Sequence, residues 1–192
     1  MAMQILGEFI ECNTSDTSDF LVINFSATSI PLKQRWRNNG LSADFIADYL
    51  TTFFPVEDEK TVLRRAEIKE VVNFVANELL ENAMKFNFPA STYPVRFFMT
   101  LQQQQVLLYV TNYIDSATVE SWQYKLNRLL TGDTHKLFMQ QLIKNDKAEN
   151  IDSGLGYLTI INDWNAKLAW KFETVKKDDK VQKVTVMAKI LF

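Results

Sequence analysis

The chain has 192 residues, 47% of them hydrophobic and 23% charged, with a formal net charge of −2. That length suffices for one domain with a substantial core, and the near-neutral balance gives no electrostatic pull toward nucleic acid or an anionic membrane. A lone cysteine, Cys12, excludes an internal disulfide and fits a reducing cytosol, and a lone histidine, His135, excludes a His-based metal site.

The first residues lack a basic stretch followed by an apolar run, so no signal peptide is expected, and no apolar run approaches the ~20 residues of a membrane span. Residues 20–25 read as a strand, expected to pair with residues 7–12 across a polar loop at 13–19. Ser42 is placed to cap a helix over 43–53, stopped by Pro55. The longest helix is expected over 60–86, before Pro89, with Val62, Ala66, Val72, Val75, Leu79, Ala83 and Phe86 as its buried stripe. The pattern then changes to period two. Residues 95–101 and 106–112 form a hairpin, with Asn112 at the end of its apolar face. Asp115 can cap a helix carrying Val119, Trp122, Leu126 and Leu129, and a second helix follows over 134–143. Residues 144–152 are polar. Gly154-Leu155-Gly156 opens a helix to residue 164. Two closing strands, 168–174 and 184–192, flank a charged turn at 176–180. Trp122, Trp164 and Trp170 read most simply as core, and His135 as a surface residue. Trp36, between Arg35 and Arg37, reads as packing or as an interaction anchor. Scarce glycine (5) and proline (4) leave no flexible linker, so residues 1–192 read as one domain, with 1–55 a possible extension for dimer or partner contact. Helices mixed with hairpin-linked strands predict an α+β, two-layer sandwich.

Glu78, Asn82 and Lys85 are spaced i, i+4, i+7 and therefore stack on one side of the long helix. Val71 and Val75 precede them on that side. An apolar stripe that turns into a carboxylate, an amide and an ammonium has stopped packing and begun to line something. Asn offers Mg²⁺ an oxygen, Lys offers charge to phosphate, and Glu accepts a proton. Taken alone, the three also read as a solvated helix face, and Gly154-x-Gly156 as an ordinary turn.

The combination resembles the GHKL ATPase domain of histidine kinases, anti-sigma-factor serine kinases, gyrase and Hsp90. Glu78-Leu79-Leu80-Glu81-Asn82-Ala83-Met84-Lys85-Phe86 is similar to that family's N box, and Ser153-Gly154-Leu155-Gly156-Tyr157-Leu158 resembles its second glycine box. Between them the family places a D-x-G-x-G box at a strand end. Here the strand reads Val110-Thr111-Asn112-Tyr113-Ile114-Asp115, with Asn112 at the Asp position and no glycines. Replacement of that Asp by Asn is similar to the SiaB-type protein kinases and related cyanobacterial regulators. The resemblance covers about Lys60 to Phe192. It implies a sandwich with a mixed sheet, binding ATP and Mg²⁺. Asn82 would ligate the metal, Asn112 would read adenine, and Lys85 would contact phosphate. Gly154, Leu155 and Gly156 would wrap the phosphates, and Glu78 would act as base. Asp115 has a second reading as a substitute adenine contact. The implied activity is phosphorylation of Ser or Thr on a small regulatory partner protein, in a bacterial partner-switching circuit in the cytoplasm, with a possible homodimer. The alternative is a catalytically degenerate nucleotide-binding or protein-interaction module. A histidine-kinase domain acting in trans is the third reading, against which Glu78 counts.

Overall fold

The computed structural model describes residues 3–12, 19–26, 32–55, 57–89, 91–102, 104–146, 154–175 and 180–192. The strands are β1 (Met3–Leu6), β2 (Phe20–Phe25), β3 (Val95–Gln102), β4 (Gln105–Asp115), β5 (Lys167–Thr174) and β6 (Val181–Leu191). The helices are α1 (Leu32–Thr51), α2 (Glu59–Phe86), α3 (Val119–Thr131), α4 (Thr134–Asp146) and α5 (Gly156–Asn162). The strands form one six-stranded sheet in the order β1-β5-β6-β4-β3-β2, and α1 and α2 pack on one of its faces. This is the expected α+β sandwich. Every strand pairing is antiparallel, where the family resemblance implied a mixed sheet. Hairpins join β3 to β4 and β5 to β6, which fixes those two pairs as antiparallel.

The core lies between the sheet and α2. Ile68, Val72, Val75, Ala76, Leu79, Leu80, Ala83 and Met84 are the buried face of that helix. They meet Phe97, Leu108, Val110, Trp170 and Phe172 from the sheet. Val62 and Ala66 are exposed, contrary to the sequence reading. Steps of three and four from 66 lead to the polar Lys69 and Asn73, so the expected stripe had slipped phase before Val72. Asp58 begins α2 with a reciprocal cap: its carboxylate accepts from Thr61 N at 2.8 Å, and Thr61 Oγ1 accepts from Asp58 N at 3.0 Å. Those donors hold the Asp58 carboxyl below its ordinary range.

Three further expectations are corrected. First, β2 pairs with β3, and the N-terminal strand is β1, on the opposite edge beside β5. Gly7, at φ +80°, ends β1 and turns the chain across the outer sheet face. There Phe9, Ile10 and Cys12 cover Phe98, Tyr109 and Met187, and the Tyr109 hydroxyl donates to Ile10 O at 2.9 Å. Second, α1 begins at Leu32, so Ser42 lies inside the helix rather than capping it. Third, α5 ends at Asn162, and β4 runs on to Asp115, so Asn112 is inside the strand, paired with Val184. Asp115 caps a 3-10 turn (Ser116–Thr118) ahead of α3 by accepting from Ala117 N at 2.9 Å. The expected features at 13–18, 147–153 and 176–179, and the Trp36 side chain, lie outside the described residues.

Candidate functional site

The end of α2 is fastened to β4 next to Asn112. Asn87, just past the helix, accepts from Tyr113 N at 3.1 Å through Oδ1, and Phe88 N donates to Tyr113 O at 2.6 Å. These bonds hold the last turns of α2 over the middle of the sheet. Asn82 and Asn112 consequently line one small void of about 20 Å³. Its other walls include Phe86, Trp122, Tyr157 and Trp170. Asn112 is 6% exposed. Asn82 donates through Nδ2 to Glu78 O at 2.8 Å, which leaves its oxygen available.

Beyond this void lies a cleft of about 570 Å³, bounded by the end of α2, by α3 and α4, and by the start of α5. Asn82 and Gly154 both line it. Lys125, Arg128 and Lys144 stand on its rim, and among the described residues no carboxylate is in its walls. A cavity with cations and no anions raises the local concentration of anionic ligands. Sequence reading missed all three cations. The available signal was the spacing of Trp122, Lys125 and Arg128 at i, i+3, i+6 on α3, with the bases beside the apolar stripe.

Glu78 sits under Gly156. A Cβ added at Gly156 would collide with Glu78 Oε2 and fall 2.9 Å from its Cδ, so the missing side chain is what makes room for the carboxylate. Half-buried, Glu78 has a pKa raised first by loss of water and second by the charge of Glu81. Glu81 accepts from Asn77 Nδ2 at 2.9 Å. Gly154 has φ +50°, a region that favours glycine, and the Gln141 amide of α4 lies over it. Leu155 immediately precedes α5 and is half-buried. The structure therefore places Asn82 and Gly154 on one cleft, with Glu78 and Gly156 packed against each other outside its walls and Asn112 on the adjoining void. Lys85 is apart from them: it is exposed, outside the cleft walls, with its ammonium 5.3 Å from the centre of the Phe86 ring. Among the described residues no cluster of three His, Cys, Asp or Glu is placed to hold a metal. No described helix is long and apolar enough to cross a membrane.

No family model matches the chain, and no curated protein sequence does. A solved structure does. A chain of the SiaB–SiaC complex from Pseudomonas aeruginosa superposes with a TM-score of 0.59 at 14% identity, covering 88% of this chain and 89% of that one. The two share a fold over nearly their whole lengths.

Proposed function

We propose that the cleft binds ATP·Mg²⁺ and that the protein is a Ser/Thr protein kinase acting on a small regulatory partner, as part of a partner-switching signalling circuit. The observation that carries this reading is the seating of the Glu78 carboxylate against Gly156, with Asn82 one turn away on a cleft rimmed by Lys125, Arg128 and Lys144. The donor set fits the ligand. Three cations neutralise phosphate, the free oxygen of Asn82 suits a hard cation, and the backbone of Gly154 and Gly156 receives phosphate once the Gln141 amide and the Glu78 carboxylate that cover it move aside. Leu155, between them, belongs to the same backbone cradle. ATP supplies the phosphoryl group; the chain supplies position and charge, which is most of what phosphoryl transfer requires. Glu78 takes the proton of the acceptor hydroxyl, a role that its raised pKa suits. Lys85 contacts phosphate only if its side chain leaves the Phe86 ring. The shared fold with a chain of a two-protein complex supports a protein partner.

A second reading, a non-catalytic signalling module, is favoured by one observation. The space beside Asn112, where adenine would lie, is reduced to about 20 Å³ by aromatic side chains. The Glu78→Gln variant separates the two. Gln keeps shape and an acceptor but cannot serve as base. Transfer of labelled phosphate from ATP to a candidate acceptor, the protein encoded beside this one, is expected to fall by about 10²–10⁴ while ATP affinity is kept. Wild-type protein that binds ATP and transfers nothing leaves the module reading standing.

A further inference from the structure

The small void and the large cleft meet at one partition. Both are lined by Asn82, Phe86, Trp122 and Tyr157. Trp122 stands edge-to-face on Phe86, with centroids 4.5 Å apart and planes at 82°. Trp122 is thus one of four side chains that stand between the cations and Asn112.

One buried polar group behind this partition lacks a partner. Trp170 is 1% exposed and its indole Nε1 makes no hydrogen bond. Tyr157 packs edge-on against Trp170, at 5.4 Å between centroids. The indole N–H lies near enough to the phenol to offset part of the pKa rise that burial causes, but not in hydrogen-bonding geometry. Buried donors are seldom left unbonded, and each that is calls for an explanation.

The chemistry of the partition supplies one. Indole and purine are both flat, fused five- and six-membered rings. Indole carries one polar atom, a donor, and offers neither Trp170 nor Asn112 an acceptor. Adenine offers ring nitrogens that accept and an amino group that donates. We propose that Trp122 fills the base subsite as an internal stand-in for a purine. Adenine displaces it, donating its amino group to Asn112 Oδ1 and accepting from Trp170 Nε1–H at a ring nitrogen. The subsite prefers adenine to guanine, because guanine sets a ring N–H against the Trp170 N–H. Lys125 and Arg128 share α3 with Trp122, so phosphates in the cleft engage the helix that carries the plug. This inference rests on the nucleotide reading above and assigns its specificity and gating residues.

The test is calorimetric titration of wild type, Trp122→Leu and Trp170→Phe with the Mg²⁺ complexes of ATP, GTP and tripolyphosphate, each variant first checked for a cooperative melt. Trp122→Leu removes the plug and is expected to tighten ATP by about tenfold or more, since a site that is mostly closed loses apparent affinity by its closed fraction. Trp170→Phe keeps bulk and removes one donor. It is expected to weaken ATP about three- to tenfold while leaving GTP and tripolyphosphate unchanged. Unchanged or weakened ATP binding in Trp122→Leu overturns the plug, and an unchanged ATP-to-GTP ratio in Trp170→Phe overturns the donor. If ATP binds every form no better than tripolyphosphate does, the base subsite is refuted and the phosphate cleft stands. If neither ligand binds any form, both readings are refuted.

Discussion

Replacing Gly156 by Ala tests whether the position of the Glu78 carboxylate matters. The added methyl would collide with Oε2 and lie 2.9 Å from Cδ. Those atoms end a flexible side chain, so the carboxylate moves and the backbone does not. Forcing it from its preferred rotamer costs about 0.5–1.5 kcal/mol. Gly156 is the first residue of α5, where Ala gains up to about 1 kcal/mol over Gly. The two effects nearly cancel, so stability is expected within about 1 kcal/mol of wild type. For a chain of this size that is a shift of at most about 4 °C in Tm. Transfer is expected to fall by about 10² or more, because the base no longer lies under residue 156. Thermal melts and single-turnover transfer are measured on the same preparation. Wild-type transfer by Gly156→Ala would refute the role given to Glu78 in this position. A loss of cooperative melting would show that the carboxylate cannot move, and the steric reasoning would be wrong.

Two further expectations concern charge. Asn112→Asp places a carboxylate among walls that carry no cation, and it is expected to destabilise the protein by about 3 kcal/mol at neutral pH. The loss should shrink on acidification as the Asp protonates, which denaturant melts at two pH values will read. Glu78→Gln should melt above wild type at pH 7. The raised Glu78 pKa means the fold favours the neutral acid, so its stabilising contribution is full below the ordinary carboxylate range and is lost as pH rises through the raised value. Gln never ionises, so the advantage should vanish below about pH 4; a constant difference across pH would contradict the burial argument.

Local pattern carried much of this site. Glu78 and Asn82 flank the buried stripe of α2, which runs on beside them through Leu79, Leu80, Ala83 and Met84, and strand alternation put Asn112 on the core face of β4. Gly154 and Gly156 were legible because close approach needs glycine, although what approaches Gly156 is Glu78 of the chain itself. Effects set by tertiary neighbours were not legible. Nothing local says that Gly7 turns residues 8–12 over the outer sheet face, or that Lys125, Arg128 and Lys144, from two helices, converge on one cleft. Trp122 read as core, and it is half-buried in a partition. Its ring walls the void beside Asn112, which only the fold defines. Lys85 shares the spacing of the site residues, but its neighbour Phe86 takes the place on the cleft and Lys85 is exposed outside the walls.

The most direct test is whether the face of α2 that carries Asn82 holds a nucleotide through a metal. Wild type and Asn82→Ala are titrated with ATP, with and without Mg²⁺, and followed by thermal shift. The substitution removes the free amide oxygen and one bond to Glu78 O, and leaves the core intact. Wild type should be stabilised by about 2.7 kcal/mol at 100 times Kd, only with Mg²⁺, and Asn82→Ala should fold without that gain. Wild type with no Mg²⁺-dependent gain, or Asn82→Ala with the full gain, would contradict the account.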